Sequence, residues 1–270
     1  MSKIVVAGGA GRMGRQLIQA IAEREDVSLA GVTEQSSSPH IGMDAGLLAG
    51  NETVGVNVVA GIEEVESAFD TIVDFTAPAN TRSLLNYAAD HGVRMVIGTT
   101  GLDDNDQQLI KQTAEKTSVV YAANYSVGVT LSLEVLAHAA KALGSLYNVE
   151  IIEAHHKHKV DAPSGTALAM GHVVAEASGK DFNECAVFAR EGITGARDEQ
   201  TIGFSTIRAG EIIGEHTVLF CGQGEQLEIT HKATDRMTFA RGAIRAAAWI
   251  AAQPNGLFDM SDVVLSLIHI

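Results

Sequence analysis

Residues 4–14 read Ile-Val-Val-Ala-Gly-Gly-Ala-Gly-Arg-Met-Gly. The run 4–7 is apolar and reads as a short buried strand. Gly9, Gly11 and Gly14 then form G-x-G-x-x-G. Beyond them Leu17, Ile18, Ile21 and Ala22 recur at helical spacing over 14–24. Strand, glycine turn and helix follow in the order a dinucleotide-binding unit requires. The glycines let the backbone turn tightly and approach a pyrophosphate, and the uncovered N–H groups and dipole of the next helix hold its charge. A second strand-like run covers 27–33. Glu34 closes it 20 residues after Gly14, where an acid can bind adenine-ribose hydroxyls. A tight α/β turn that binds no dinucleotide is the plain structural alternative.

Gln35 follows Glu34, where NADP-preferring proteins often carry an arginine for the 2′-phosphate. Arg12, within the loop, is the nearest cation. These residues predict that NADH is used at least as well as NADPH.

Further along, short apolar runs at 56–60, 71–75, 95–98 and 119–123 read as strands. Residues 79–91 and 104–116 read as amphipathic helices, and 36–51 as loop with a helical turn. This alternation implies a parallel sheet with helices on both faces. Ligands of such sheets sit at the carboxyl ends of the strands. Gly98-Thr99-Thr100-Gly101 and Ala122-Ala123-Asn124-Tyr125 occupy two such ends and are candidates for the nicotinamide side, with ordinary strand-to-helix turns as the alternative.

The pattern changes after Asn124. Helices are expected at 131–143 and 164–177, and strands at 149–154, 186–190, 201–207, 216–220 and 226–230. A strong helix covers 238–252 and suits either domain. The fold class is therefore α/β: a Rossmann-type parallel-sheet dinucleotide-binding domain plus a second α+β domain with a mixed or open sheet.

The chain has 270 residues, enough for two modest domains. Lys plus Arg number 19 against 33 Asp plus Glu, a net charge of −14. An acidic surface argues against nucleic acid as partner and against docking on an anionic membrane. No apolar run approaches the ~18 residues of a membrane helix. Cys185 and Cys221 are far apart and form no CxxC pair. Together these features predict a soluble, cytoplasmic protein.

Residues 153–167 read Glu-Ala-His-His-Lys-His-Lys-Val-Asp-Ala-Pro-Ser-Gly-Thr-Ala. Three histidines and two lysines in five positions stand out in so acidic a chain. As a strand, the segment would put His156 and His158 on one face and His155 on the other. That is not the helical spacing of a zinc H-E-x-x-H site; a metal site and a solvated basic strand end are the alternatives. The sharper reading is an anionic-substrate site. Histidine titrates near neutrality and a lysine can donate a proton. Asp161 can tie down the turn. Pro163, Ser164, Gly165 and Thr166 open a helix whose first N–H groups suit a carboxylate. Reduction of a C=N or conjugated C=C bond needs hydride on carbon and a proton elsewhere, so this segment complements a hydride carrier in the first domain.

At these residues the sequence resembles the 4-hydroxy-tetrahydrodipicolinate reductase (dihydrodipicolinate reductase) family, over essentially its whole length. Segment 153–167 is the most specific block. Segments 6–14, 74–76 (Asp-Phe-Thr), 96–101, 122–124 and 229–233 (Ile-Thr-His-Lys-Ala) support it. The resemblance implies NAD(P)H-dependent reduction of 4-hydroxy-tetrahydrodipicolinate to tetrahydrodipicolinate, in the diaminopimelate route to lysine. It implies proton transfer at His155 and Lys159, and substrate contacts at His156, Gly165 and Thr166. For the cofactor it implies Gly8, Gly9, Ala10, Gly11, Arg12, Met13, Glu34, Gly98, Thr99, Thr100, Ala122, Ala123, Asn124 and Tyr125. Gln35 departs from the arginine of many members. The resemblance also implies a homotetramer built through the second domain's sheet, and a C-terminal helix that returns to the cofactor domain. The expected domains are then 1–126 with 239–270, and 127–238. Another nicotinamide-dependent dehydrogenase, a non-catalytic dinucleotide sensor and a histidine metallohydrolase remain as alternative readings of the residues.

Overall fold

The computed structural model describes residues 1–266. The end of the expected 239–270 segment, beyond 266, lies outside the described residues. The chain forms two compact units. The first comprises residues 1–127 and the chain from Met237 onward; the second is Gly128–Arg236.

The first unit is built on seven parallel strands: β1 (Ser2–Ala7), β2 (Val27–Thr33), β3 (Val58–Val59), β4 (Thr71–Asp74), β5 (Arg94–Ile97), β6 (Ser118–Tyr121) and β12 (Gly256–Phe258). Their order is β12-β6-β5-β4-β1-β2-β3. Successive residues of β1 serve opposite cores. Ile4 and Val6 join the layer with α1 (Arg12–Ala22) and α8 (Met237–Trp249). Val5 and Ala7 join the layer with α3 (Pro78–His91) and α4 (Asp104–Ala114). Burial on both faces makes these strands read as continuous apolar runs rather than alternating ones. Helix starts follow local chemistry: Pro78 opens α3, and Asp103 and Asp106 form a reciprocal capping box on α4.

Several boundaries differ from the sequence expectation. The strand expected at 56–60 is only β3, a two-residue edge strand. The helical turn expected within 36–51 is α2 (Ala45–Leu48), capped by Asp44. Strand β12 and helix α9 (Met260–Leu265) were not expected; three residues are too few to show a period. Helix α8 belongs to the first unit. It presents Ala240, Ala243 and Ala246 to the core, and Gly242 packs so closely on the Tyr125 carbonyl that a Cβ would lie 1.8 Å from that oxygen.

The second unit carries a five-stranded mixed sheet: β7 (Asn148–His155), β8 (Ala186–Val187), β9 (Ile202–Arg208), β10 (Gly214–Cys221) and β11 (Gln226–Ala233), in the order β11-β10-β7-β9-β8. Strands β7 and β9 are parallel, so the chain must cross over between them. Helix α6 (Gly165–Ala177) lies within that crossover and packs on the sheet through Ala167, Met170 and Val174. Helix α5 (Val127–Leu143) and the short α7 (Phe182–Cys185) add Leu136, Ala140 and Cys185 to the same core. The strand expected at 186–190 is limited to β8.

Candidate active site

In the first unit, the glycine turn leaves β1 at Gly8, which has φ +70°. The N–H groups of Gly8 and Gly9 donate to the Thr33 carbonyl at 2.9 and 3.1 Å, fixing the turn to the end of β2. A Cβ at Gly14 would lie 2.2 Å from the Gly8 oxygen and 2.7 Å from the Gly9 Cα, so α1 starts in backbone-to-backbone contact with the turn. Glu34 projects back to this turn, and its Oε2 accepts from the Ala10 N–H at 2.9 Å. Arg12 is exposed, whereas Met13 packs against the core. A cleft of about 510 Å³ opens here, with Gly8, Gly11, Glu34, Gln35 and Glu63 in its lining. Glycine turn, helix start and the acid that closes β2 fit an NAD(P) dinucleotide.

Phe75, Thr76 and Ala77, just after β4, line the other side of that cleft. They are held by Asp74, which is completely buried. Asp74 Oδ1 accepts from the Thr76 hydroxyl (2.6 Å) and N–H (3.1 Å), and Oδ2 from Thr81 Oγ1 (2.6 Å) and Thr99 Oγ1 (3.4 Å). Thr99 Oγ1 also accepts from the Thr76 N–H at 3.1 Å. Burial raises the Asp74 pKa above the ordinary value, while these donors oppose it. One carboxylate therefore ties together the loops after β4 and β5. Gly98 is required because the Phe75 ring lies against it, 2.0 Å from a built Cβ. Thr100 is exposed beside the buried Thr99.

After β6, the Ala122 N–H donates to the Ile97 carbonyl at 3.2 Å, and Asn124 Oδ1 accepts from the Ser126 N–H at 2.8 Å. Ala123 stands between them, exposed. The Tyr125 side chain is a core strut. Its hydroxyl donates to the carbonyls of Ile97 (2.8 Å) and Val120 (3.2 Å).

In the second unit, the basic segment does not continue the strand: β7 ends at His155, and 156–164 is loop. The strand alternation expected for His156 and His158 therefore does not apply. Glu153, 1% exposed, is the hub of this end of the sheet. Its Oε2 accepts from His155 Nδ1 at 2.6 Å and from Arg208 Nη1 at 2.8 Å. Its Oε1 accepts from Arg208 Nη2 (2.8 Å), the Ser164 N–H (3.0 Å) and Thr206 Oγ1 (3.2 Å). Burial acts to raise the Glu153 carboxyl, but Arg208, His155 and Ser164 together outweigh it and leave the pKa lowered. Glu153 is thus ionised near neutrality, and His155 carries its proton on Nδ1. The His155 pKa is itself lowered, chiefly by burial, with Glu153 opposing.

Nε2 of His155 faces Gly214, where a built Cβ would come within 3.1 Å. Lys159 pairs with Asp161 at 2.8 Å, so Asp161 does tie down the turn. Ser164 is the N-cap of α6, and its Oγ accepts from the Ala167 N–H at 3.2 Å. Gly165 and Thr166 hold the first two positions of the helix. The same Oγ meets His216 Nε2 at 2.9 Å. His216 is 4% exposed, and its pKa is pushed down to about 4, first by burial and then by His155. Nδ1 of His156 is buried without a hydrogen-bond partner. Among the described residues, no cluster of three or more His, Cys, Asp or Glu is placed to hold a metal ion.

Sequence reasoning gave no role to Asp74, Glu153, Arg208 or His216. It also missed Arg15, whose Nε and Nη1 hold the Ala10 and Leu48 carbonyls at 3.1 and 2.6 Å. Asp74 and Glu153 lie inside the quoted motifs. Arg208 and His216 reach the site only through sheet pairing, 55 and 52 residues from their partners.

The arrangement can bind a dinucleotide in one unit and, in the other, move a proton at an imidazole beside a helix start. Family models described as dihydrodipicolinate reductase, N-terminus, and dihydrodipicolinate reductase, C-terminus, match residues 2–125 and 128–264. Among solved structures, the dipicolinate-bound dihydrodipicolinate reductase from Paenisporosarcina sp. TG-14 aligns with a TM-score of 0.73 at 24% identity, over 96% of this chain and 97% of that one. A structure of GenD2 from gentamicin A biosynthesis, in complex with NAD, aligns at 0.60 and 15% identity, over 99% and 91%. A myo-inositol dehydrogenase from Corynebacterium glutamicum ATCC 13032 aligns at 0.56 and 18%, over 99% and 94%. These structural likenesses establish the fold. The two family models cover nearly the whole chain, and on that ground the chain belongs to the dihydrodipicolinate reductase family, dinucleotide-dependent oxidoreductases of lysine and diaminopimelate biosynthesis.

Proposed function

We propose that the second unit's residues carry the reduction of 4-hydroxy-tetrahydrodipicolinate to tetrahydrodipicolinate, with His155 and Lys159 as the proton-transfer groups. Going from one compound to the other replaces a hydroxyl with hydrogen. The net change is hydride added to carbon, and hydroxyl plus one proton lost as water. Bound NAD(P)H supplies the hydride. His155 handles the proton at Nε2, because Glu153 occupies Nδ1. Lys159 adds positive charge to the loop and a second donor. The start of α6 at Gly165 and Thr166 takes a substrate carboxylate, where helix N–H groups converge. His156 adds a polar contact. The dipicolinate of the Paenisporosarcina relative supports a dicarboxylate ligand.

The observation that carries this reading is the buried Glu153–His155 pair next to the capped start of α6. For the cofactor we assign Gly8 to Met13, Glu34, Gln35, Gly98 to Thr100 and the main chain of Ala122 to Tyr125. With Glu34 and Glu63 in the cleft and Gln35 in place of a guanidinium, NADH serves at least as well as NADPH. No helix among the described residues is long and apolar enough to cross a membrane; we assign the enzyme to the cytoplasm. We also assign a homotetramer, assembled through the second unit's sheet. Edge strand β11 with its exposed Leu227 supports this assignment, and light scattering checks it.

The test follows oxidation of NADH and NADPH in parallel, with substrate freshly made by a synthase from pyruvate and aspartate semialdehyde. Substrate-dependent oxidation with NADH equal to or faster than NADPH is expected. A strong NADPH preference would remove the role given to Glu34 and Gln35. Folded protein that binds NADH but turns over no substrate would remove the proton-transfer assignment.

A further inference from the structure

Five donors converge on the Glu153 carboxylate, and two of them belong to different parts of the proposed site. His155 Nδ1 lies at Oε2, and the main-chain N–H of Ser164, the N-cap of α6, lies at Oε1. Arg208 bridges both oxygens from β9 and balances the charge. We infer that Glu153 is a positioning residue that sets the His155 tautomer with one oxygen and seats the carboxylate-binding start of α6 with the other. This rests on the assignment of His155 and α6 given above.

The reasoning is one of donor count. A carboxylate is acceptor-only, so neither oxygen of Glu153 opposes any of the five donors that reach it. A glutamine offers one oxygen and one NH₂ group. If the NH₂ turns to His155, the imidazole must present Nδ1 as acceptor and hold its one proton at Nε2; it can then no longer take up at Nε2 the further proton that the reduction consumes and deliver it as an imidazolium paired with Glu153. If it turns to Ser164, two N–H groups oppose each other and the helix start is displaced. The first outcome lowers kcat; the second raises KM. Either also takes one charge-assisted acceptor away from the half-buried Arg208 guanidinium. The other titratable groups near His155 are Lys159 on the loop, Arg208 on β9 and His216 on β10, with His231 on β11 in register beside His216. None of them is hydrogen-bonded to Nδ1, so Glu153 alone fixes the tautomer.

The experiment compares wild type, Glu153→Gln and His155→Gln. It measures kcat, KM, NADH affinity and thermal unfolding, together with the ring-nitrogen NMR spectrum of 15N-histidine-labelled protein. Neutral wild-type His155 is expected as the Nδ1–H form. In Glu153→Gln, either kcat falls about 10- to 100-fold with a switch of tautomer, or KM rises by a similar factor with the tautomer kept. NADH affinity stays within about twofold, because the glycine turn lies in the other unit. A wild-type Nε2–H tautomer overturns the proposal even if Glu153→Gln does not fold. Unchanged kcat and KM in folded Glu153→Gln, with His155→Gln inactive, also overturns it and leaves the His155 assignment standing. Full activity in His155→Gln overturns that assignment instead, and the proposal with it.

Discussion

His216 makes the second unit sensitive to acid by an amount the structure sets. Its imidazole is buried, bonded through Nε2 to Ser164, and stacked edge-on to His155 with ring centroids 5.1 Å apart. Burial first, then the neighbouring His155, pushes its pKa from the ordinary 6.5 to about 4. Between those values the unfolded chain binds a proton that the folded chain refuses. Stability is therefore lost as pH falls from 6.5 to 4, and not regained at lower pH. A displacement of about 2.5 on the pH scale, at about 1.4 kcal/mol each, gives about 3.5 kcal/mol from this side chain. His155 and His231, both held down chiefly by burial, act in the same direction. Asp74, raised by burial, acts in the opposite direction but belongs to the other unit. The perturbation is His216→Gln, which keeps a polar partner for Ser164 and does not titrate. Urea unfolding is followed by circular dichroism at steps from pH 7 to 4.5, and the His216 Cε1 proton is titrated by NMR. The wild type should lose up to about 3 kcal/mol more than the variant across this range, whatever their stabilities at pH 7. A His216 midpoint near 6.5, or equal slopes for both proteins, refutes the reasoning.

Two further perturbations address the first unit. Gly14→Ala forces a Cβ onto the Gly8 carbonyl and the Gly9 Cα, backbone atoms that cannot rotate away. Overpacking of this kind typically costs about 1–3 kcal/mol, and we expect NADH affinity to fall at least about tenfold by fluorescence titration; Gly165→Ala, whose Cβ meets nothing within 4 Å, should melt like the wild type. Asp74→Asn turns an acceptor of four donors into a group that must oppose at least one of them. A buried unmet hydrogen bond costs about 1–3 kcal/mol, so NADH should bind about 5- to 100-fold more weakly, and wild-type affinity in this variant would show that the loops after β4 and β5 hold their places without it.

The readability of this chain follows the range of its interactions. Residues 4–34 disclosed their fold because strand, glycine turn, helix and closing acid are all set by near neighbours. The Gly14 contact with the Gly8 oxygen, six residues away, is of that kind. Strand β12 stayed hidden because its partner β6 lies over a hundred residues earlier, and three residues carry no period of their own. The substrate segment was legible only as an inventory. Its histidines and lysines were visible, and Asp161 does hold Lys159. What gives His155 a defined donor and acceptor atom, however, is Glu153 on the same strand, and what keeps Glu153 ionised is Arg208 on β9. Residues i and i+2 share a strand face, so the Glu153–His155 pair was readable in principle from spacing alone. The arginine was not, because it arrives through the register of β7 with β9, where His155 pairs with Arg208. An unpaired buried carboxylate would have become protonated and released its hold on the imidazole. The long-range partner therefore decides whether the local motif has chemistry.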